Sequence, residues 1–148
     1  MTALKLYSSS TLDIYSAQTE TELEIPVLGI VNAGFPSPAT DFIEQNIDLN
    51  RDLIKHPSAT FYVRVKGESM KDAKINDGDL LIVDKSIEPC DGRIAVCSID
   101  GEFTVKRIKK DGESLWLVPA NDEFKAIQVN EENDARMWGV VIHAIKSF

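Results

Sequence analysis

The strongest constraint on the fold is a series of short β-type segments that follows residue 59 and is divided by four Asp-Gly pairs. The segments, rich in β-branched and aromatic residues, cover residues 60–66, 79–84, 93–99, 102–108, 114–119 and 136–146. The Asp-Gly pairs stand at residues 77–78, 91–92, 100–101 and 111–112. The pair at 100–101 lies between two apolar runs and strongly predicts a two-residue hairpin. We therefore expect a compact, mostly β domain of many short strands, with a barrel-like or sandwich form.

The N-terminal part of the chain differs from this β region. Residues 1–25 are rich in Ser, Thr and Glu and have little sustained periodicity, which is typical of a mobile arm. Apolar residues with a spacing of two indicate that part of the arm lies on a surface as an extended strand. They are Leu4, Leu6, Leu12 and Ile14. We expect a flexible arm over residues 1–33 and the β domain over residues 34–148.

Between the arm and the strands, the sequence predicts an apolar segment and a short helix. Residues 25–36 mix apolar residues with glycines and prolines, which favours an irregular segment that can rest in a groove. Ser37-Pro38 is typical of a helix start, with Ser as N-cap and Pro at the first helical position. Apolar residues continue at helical spacing to Ile47, and a second short helical turn is expected over residues 49–54.

Composition and charge exclude several classes of protein. The 148 residues carry a net charge of −8, so the chain as a whole does not match nucleic acid or an acidic membrane surface. No apolar run is long enough to span a bilayer, and no signal sequence is expected. Cys90 and Cys97 indicate reduced thiols in a cytoplasmic protein. His56 and His143 are the two histidines, no His/Cys cluster has metal-ligand spacing, and neither a metal nor another cofactor is expected.

Ser69 follows the end of the first predicted strand of the β region. Gly67 ends that strand and a polar segment follows, so the Ser69 hydroxyl can be exposed beside free backbone N–H groups. A nucleophile and an oxyanion hole are two of the three parts of an acyl-transfer site. The alternative is that Ser69 only caps a short helix, which is the commoner role of serine in such a position.

A serine nucleophile needs a base, and Lys106 is the candidate that the strand pattern provides. In the segment 102–108, Lys106 shares a face with Thr104 and Ile108, and both faces carry apolar residues. Burial disfavours the charged form of lysine, and a neutral lysine is a competent general base. The pattern alone favours the alternative, in which the stem of Lys106 covers apolar surface and its amine reaches water.

Five segments, in order along the chain, together resemble the LexA/UmuD family of self-cleaving Ser-Lys proteases. They are NAGFPSP at residues 32–38, GESM at 67–70, DGDLLIVD at 77–84, DGEFTVKR at 100–107 and GVVIH at 139–143. The resemblance runs from about residue 27 to the C-terminus and is closest to the UmuD branch. It implies the fold of the LexA C-terminal domain, with a nucleophile and a base 37 positions apart.

The resemblance implies roles for the residues at matching positions. Ser69 would be the nucleophile, Lys106 the general base, and the backbone N–H of Met70 part of the oxyanion hole. The bond that is cut would join Ala33 and Gly34. This pair is typical of LexA, whereas UmuD proteins often have Cys-Gly, and the difference leaves the chemistry unchanged. The chain would be a serine endopeptidase that acts mainly on itself.

The resemblance also implies partners and a place in the SOS response to DNA damage. It implies a homodimer, cleavage stimulated by a RecA–single-stranded DNA filament, and use of the shortened form by an error-prone UmuC-type polymerase subunit in translesion synthesis. Direct nucleic-acid binding and membrane contact are not expected. Residues 1–33 carry −3, which leaves −5 on residues 34–148, so arm removal is expected to act by uncovering a surface rather than by charge reversal.

Other interpretations stay open at this point. A protease that acts on other chains, such as a signal-peptidase relative, would use the same chemistry, but the sequence has no membrane anchor. A DNA-binding LexA repressor is disfavoured by charge and because 33 residues precede Gly34 without a convincing pair of helices, whereas a LexA-like repressor fragment that lacks its DNA-binding domain stays an alternative. An inactive dimeric binding module that regulates a polymerase would not need Ser69 and Lys106. A β-lactamase-like site fails because Asp72 stands where Ser-x-x-Lys needs lysine.

Overall fold

Strands make up most of the described structure. The computed structural model describes residues 4–17, 24–28, 43–121, 123, 125–130, 132 and 134–148, with 24–28 and 43–47 described by their backbone. In chain order the elements are β1 (Lys5–Ser8), β2 (Leu12–Ser16), β3 (Glu24–Leu28), β4 (Ile43–Asp48), α1 (Leu49–Leu53), β5 (Thr60–Val65), β6 (Leu80–Asp84), β7 (Ile94–Ile99), β8 (Glu102–Asp111), β9 (Ser114–Val118), β10 (Ile127–Gln128) and β11 (Arg136–Ile145). Two 3-10 turns cover Pro57–Ala59 and Lys71–Ala73.

Nine of these strands form one sheet with the order β1-β2-β5-β6-β11-β7-β8-β9-β10. Every neighbouring pair in this sheet is antiparallel. Strands β3 and β4 pair with each other in a second, two-stranded antiparallel sheet. The mostly β fold that the sequence predicts is confirmed.

The six strands predicted after residue 59 correspond to β5 to β9 and β11; each agrees with its prediction at one end and differs at the other by one to three residues. The predicted hairpin at 100–101 joins β7 to β8, and its flanking pair is Ile99 opposite Glu102. Asp100 and Gly101 have φ angles of 50° and 84°. Two consecutive positive φ values are the signature of the type I′ turn that Asp-Gly favours. Strand β10, of two residues, was too short to predict from periodicity.

The arm contributes two strands to the large sheet. Strand β2 pairs with β5 from Leu12 opposite Val65 to Ser16 opposite Phe61, and β1 pairs with β2 on its other side. Leu12 and Ile14 are buried at 1% and 2% exposure, as alternation along a half-buried strand requires. The extended strand expected within the arm is therefore part of a hairpin that closes one edge of the sheet. The proposed boundary at residue 33 lies outside the described residues.

The sequence predicts a helix that starts at Ser37 and runs to Ile47, and this prediction is wrong over residues 43–47. Residues Ile43–Asp48 form β4, because their backbone pairs with β3, a partner that helical spacing of apolar residues cannot reveal. Residues 37–42 lie outside the described ranges. The second predicted turn is confirmed as α1, which Asp48 caps by accepting hydrogen bonds from two backbone N–H groups. Within the described residues, no helix is long and apolar enough to cross a bilayer.

Strands β7 and β8 have apolar residues packed against both faces. On one face, Val96 and Val105 belong to the main core, which also holds Leu12, Ile14, Val63, Val65, Met70, Ile75, Leu81 and Val83. On the other face, Ala95, Cys97, Ile108 and Leu117 form a second cluster. Lys106 pairs with Ala95 and Thr104 with Cys97, which places both on the face of the second cluster. Both faces of this segment, which carry apolar residues in the sequence, therefore include buried residues.

Candidate active site

Ser69 lies in the turn that follows β5. Gly67, two residues beyond the end of the strand, has a φ of 90°, a conformation that residues with a side chain rarely adopt. Its N–H donates to the Asp77 carboxylate at 2.8 Å, which closes the loop between β5 and β6. Ser69 is half-buried, and the 3-10 turn Lys71–Ala73 follows it. Within the described ranges, the Ser69 hydroxyl and the N–H groups of Ser69 and Met70 have no hydrogen-bond partner in the protein.

The segment that follows β9 holds this turn in place. Asn121 donates a hydrogen bond from its side-chain amide to the carbonyl oxygen of Glu68 at 2.7 Å. The Ala120 N–H lies 3.3 Å from the sulfur of Met70, and the Ala120 carbonyl accepts from the Asp72 N–H at 2.8 Å. Met70 is buried in the main core. Ser69 therefore stands between residues whose positions are fixed by packing and hydrogen bonds.

Lys106 is buried at 7% exposure in the middle of β8. Its amine donates to the Thr104 hydroxyl at 2.7 Å and to the carbonyl oxygen of Val105 at 3.2 Å. Among the described residues, the lysines that form salt bridges are Lys5, Lys66 and Lys146, and Lys106 forms none. Its amine is therefore held by neutral oxygen acceptors, without a carboxylate to stabilise its charge.

Burial governs the protonation of two neighbouring groups in this region. Removal from water lowers the pKa of Lys106, an effect that the nearby Cys97 partly opposes. Burial raises the pKa of the Cys97 thiol to about 12, and the positive charge of Lys106 acts in the opposite direction. Both groups are therefore biased toward their neutral forms. A neutral amine has a lone pair, which a general base requires.

A cleft of about 460 Å³ borders Lys106. Its wall includes Phe103, Thr104 and Lys106 from β8 and Thr11 from the turn between β1 and β2. Ile99, Asp100, Glu102, Lys125 and Ile127 complete the lining. Thr11 donates from its hydroxyl to the Phe103 carbonyl at 3.1 Å, and the Phe103 N–H donates to the Tyr7 hydroxyl at 3.3 Å. The arm hairpin is thus attached to the strand that carries Lys106.

The structure places the predicted nucleophile and base on separate elements that share a core. Met70, next to Ser69, and Val105, next to Lys106, are both members of the main core, whereas the side chain of Lys106 itself lies on the opposite face of β8 from Val105. Among the described residues, the Lys106 amine donates to Thr104 and Val105 and is not hydrogen-bonded to the Ser69 hydroxyl. Ala33 and Gly34 lie outside the described residues.

His56 contacts a carboxylate elsewhere in the domain, and His143 lies in β11 opposite Ile82. Nδ1 of His56 lies 2.5 Å from Oδ2 of Asp84, a fully buried carboxylate that also accepts two hydrogen bonds from Ser86. Although burial acts to raise the pKa of Asp84, the hydrogen bonds from Ser86 and His56 hold it below its usual value. Among the described residues, no group of three or more His, Cys, Asp or Glu could hold a metal ion.

Sequence reasoning did not assign a role to Thr104 or Asn121. Thr104 could have been noticed, because residues two apart on a strand share a face and the sequence places Thr104 beside Lys106. Asn121 gave no such signal, since its contact with Glu68 joins residues 53 positions apart.

Comparisons with known proteins support the family inferred from the five segments. A family model described as Peptidase S24-like matches residues 26–142. Protein MucA of Salmonella typhimurium is 41% identical over 116 residues, which are 78% of this chain and 79% of that protein. Protein ImpA of Salmonella typhimurium is 47% identical over 114 residues, 76% of this chain and 77% of that protein. The LexA repressor of Acidithiobacillus ferrooxidans is 38% identical over 144 residues, 95% of this chain and 70% of that protein.

Proposed function

The chain belongs to the Peptidase S24-like family, and on that premise we propose that it is a serine endopeptidase that cuts its own arm between Ala33 and Gly34. Ser69 is the nucleophile and Lys106 the general base. The observation that carries the proposal is the burial of Lys106 beside neutral acceptors, which lowers its pKa. An amine in that state can take the proton of a serine hydroxyl, which a charged lysine cannot.

The proposed reaction has an acylation and a deacylation step. Lys106 takes the hydroxyl proton of Ser69 as the oxygen bonds to the carbonyl carbon of Ala33. The bond from that carbon to the nitrogen of Gly34 then breaks, and Lys106 returns the proton to the departing amine. Water hydrolyses the Ala33 ester, with Lys106 again taking and returning the proton. The products are a carboxylate at Ala33 and a free amine at Gly34.

The contacts of Lys106 suit this task. A neutral amine has two N–H donors, and its bonds to the Thr104 hydroxyl and the Val105 carbonyl use both. The lone pair is then left to accept from the Ser69 hydroxyl. Since catalytic hydrogen bonds often form fully only when substrate is bound, the separation of the two side chains in the free site is compatible with this role.

The turn around Ser69 supplies the second requirement of acyl transfer, hydrogen-bond donors for the oxyanion. The N–H groups of Ser69 and Met70, which have no protein acceptor among the described residues, are the proposed donors for the oxyanion that forms at Ala33. Because the arm is part of the same chain, its encounter with the site is intramolecular, and well-oriented intramolecular groups can have effective concentrations of about 10⁵–10⁸ M. A site of modest strength is therefore sufficient.

Cutting at residue 33 would change how the arm is held. Strands β1, β2 and β3 precede the bond, and β4 and β5 follow it, so two intramolecular strand pairs become pairs between separate chains. A tether keeps its segment at an effective concentration of about millimolar, and a free fragment loses this advantage. Dissociation of the hairpin would expose the edge of β5 and the core residues that Leu12 and Ile14 cover. This is the surface that arm removal would uncover.

We extend the proposal to the biological role on the basis of the resemblance to UmuD. The chain acts as a homodimer in SOS mutagenesis, a RecA–single-stranded DNA filament stimulates its cleavage, and the shortened form works with a UmuC-type polymerase subunit. The filament shifts the arm toward the conformation that enters the cleft and adds no catalytic group. Sedimentation at micromolar concentration that gives only a 16.4 kDa species would contradict the dimer.

Product masses test the cleavage. The purified chain is incubated at pH 7 with and without the filament and at pH 10 alone, and its fragments are identified by mass and N-terminal sequence. We expect residues 1–33 and a product that begins at Gly34. Ser69→Ala should remain intact, and Ser86→Ala, which changes another serine close behind a strand, should cut normally. Fragments that begin elsewhere, or cutting of folded Ser69→Ala, would contradict the proposal.

A further inference from the structure

We infer that Asn121 is a positioning residue for Ser69, because its side chain holds the peptide group that joins Glu68 to Ser69. The inference rests on the proposed role of Ser69 and adds a residue from a distant part of the chain. Asn121 is 4% exposed, and both ends of its side-chain amide are bonded. The nitrogen donates to the Glu68 carbonyl at 2.7 Å, and the oxygen accepts from the Glu123 N–H at 3.0 Å.

These two partners fix the orientation of the amide. A carbonyl oxygen can only accept and a backbone N–H can only donate, so exchange of the amide nitrogen and oxygen would lose both bonds. Asn121 is the side chain that meets this requirement here, because Asp offers no donor at neutral pH and Leu offers neither group. The amide therefore bridges the segment after β9 and the Glu68 carbonyl in one defined geometry.

Holding the Glu68 carbonyl also sets the direction of the Ser69 N–H. The peptide unit is planar and trans, so its oxygen and its N–H point in opposite directions. The Lys71 N–H donates to the same oxygen at 3.2 Å, which tightens the turn around Ser69. Ala120 contacts Met70 and Asp72 on the other side of the serine. Residues 120 and 121 thus orient both the proposed nucleophile and its proposed oxyanion donors.

The test compares self-cleavage of the full chain with that of Asn121→Leu and Asn121→Asp between pH 6 and pH 10.5. We expect the rate at high pH to fall about 10–100-fold, since small errors of position are costly in catalysis. The pH midpoint should stay at the wild-type value, because Thr104 and Val105 still hold Lys106. Amide hydrogen exchange should become faster at Lys71 and Asp72, whose N–H groups donate to the Glu68 and Ala120 carbonyls, while the strand β5 keeps its protection.

Asn76→Leu is the matched control. Asn76 donates to the side-chain carboxylate of the same Glu68 at 3.3 Å and leaves its backbone carbonyl untouched. This exposed residue also accepts from Lys146, so its replacement removes two surface contacts. Cleavage rate, pH midpoint and exchange at Lys71 and Asp72 should all stay at wild-type values in this variant.

The outcomes separate the inference from the proposed function. If both Asn121 variants cut at the wild-type rate, the inference is wrong and the role of Ser69 stands. If the midpoint of the pH profile shifted while the maximal rate stayed unchanged, Asn121 would act through Lys106. That result would also overturn the inference. Loss of exchange protection throughout the chain in both variants would make Asn121 a residue of general stability instead. If the wild type does not cut at all, the proposed function fails, and exchange at Lys71 and Asp72 still decides whether Asn121 holds the turn.

Discussion

The amine of Lys106 donates a 2.7 Å hydrogen bond to the hydroxyl of Thr104, two residues earlier on the same face of β8. Lys106 is buried, and the Val105 carbonyl is the other acceptor of its amine. The Thr104 hydroxyl both orients the amine and helps to stabilise its protonated form. Replacement of this hydroxyl should therefore change the rate of cleavage and its dependence on pH.

Thr104→Val keeps the shape of the side chain and removes this acceptor. We expect the maximal rate of self-cleavage to fall about tenfold, at the low end of what misplacement costs a catalytic group. The midpoint of the pH profile should move to lower pH, because one stabilising contact of the charged amine is lost. Thr104→Ser should keep the wild-type profile. If Thr104→Val kept the wild-type rate and pH midpoint, the Thr104 hydroxyl would have no role in the site.

The two cysteines should differ in reactivity. Cys90 is exposed, whereas Cys97 is buried with its pKa raised to about 12. The thiolate is the reactive form, so Cys97 stays unreactive at pH 8 in the folded protein. A thiol reagent should modify one site per chain quickly and the second only in denaturant. Equal rates at both sites in the folded protein would contradict the burial of this face of β7.

The arm hairpin should contribute to the stability of the uncut chain. Leu12→Ala, in the uncuttable Ser69→Ala background, should lower the free energy of unfolding by about 2–5 kcal/mol, because Leu12 is 1% exposed in the main core. Leu6→Ala is the matched control, since Leu6 is 50% exposed, and it should change the value by about 0.5 kcal/mol at most. Urea unfolding measures both. If both substitutions changed the free energy of unfolding by the same small amount, the hairpin would not unfold cooperatively with the rest of the domain.

Lys106 should lower the stability of the protein near neutral pH. Burial lowers its pKa, so between the folded and unfolded pKa values the unfolded chain binds more protons and stability rises with pH. Lys106→Met, in the same uncuttable background, should unfold at a higher urea concentration at pH 7 than its parent. The difference should shrink as the pH approaches 10.5. A methionine variant that is less stable at pH 7 would contradict the cost assigned to the buried amine.

Much of the β region was predictable because its signals are local. Alternation and Asp-Gly turns located β5 to β9 and β11, and the spacing of Leu12 and Ile14 indicated the strand in the arm. The predicted helix failed over Ile43–Asp48 because that segment pairs with β3, some 20 residues away in the chain. Apolar residues at positions 43 and 47 fit a helix and also fit a strand whose partner is unknown.

The candidate site was predictable only in part, for the same reason. The strand pattern and the resemblance indicated Ser69 and Lys106 as a pair. Neither indicated that Asn121 reaches the Glu68 carbonyl, because contacts between distant segments depend on the folded chain. The attachment of the hairpin to Phe103 through Tyr7 and Thr11 was likewise not foreseeable, since these residues are separated by more than 90 positions.

The pH dependence of self-cleavage tests most directly the claim that neutral Lys106 activates Ser69. A free lysine has a pKa of about 10.4, so burial must lower this value for the amine to act near neutral pH. The rate of appearance of the 34–148 product is measured from pH 6 to 10.5 for the wild type and Lys106→Arg, with and without the filament. We predict a wild-type rate that rises with pH and then levels off, a midpoint at lower pH with the filament, and no cleavage by Lys106→Arg at any pH, because guanidinium stays protonated. A wild-type rate that does not change with pH, or a Lys106→Arg variant that cuts in alkali, would show that another group is the base.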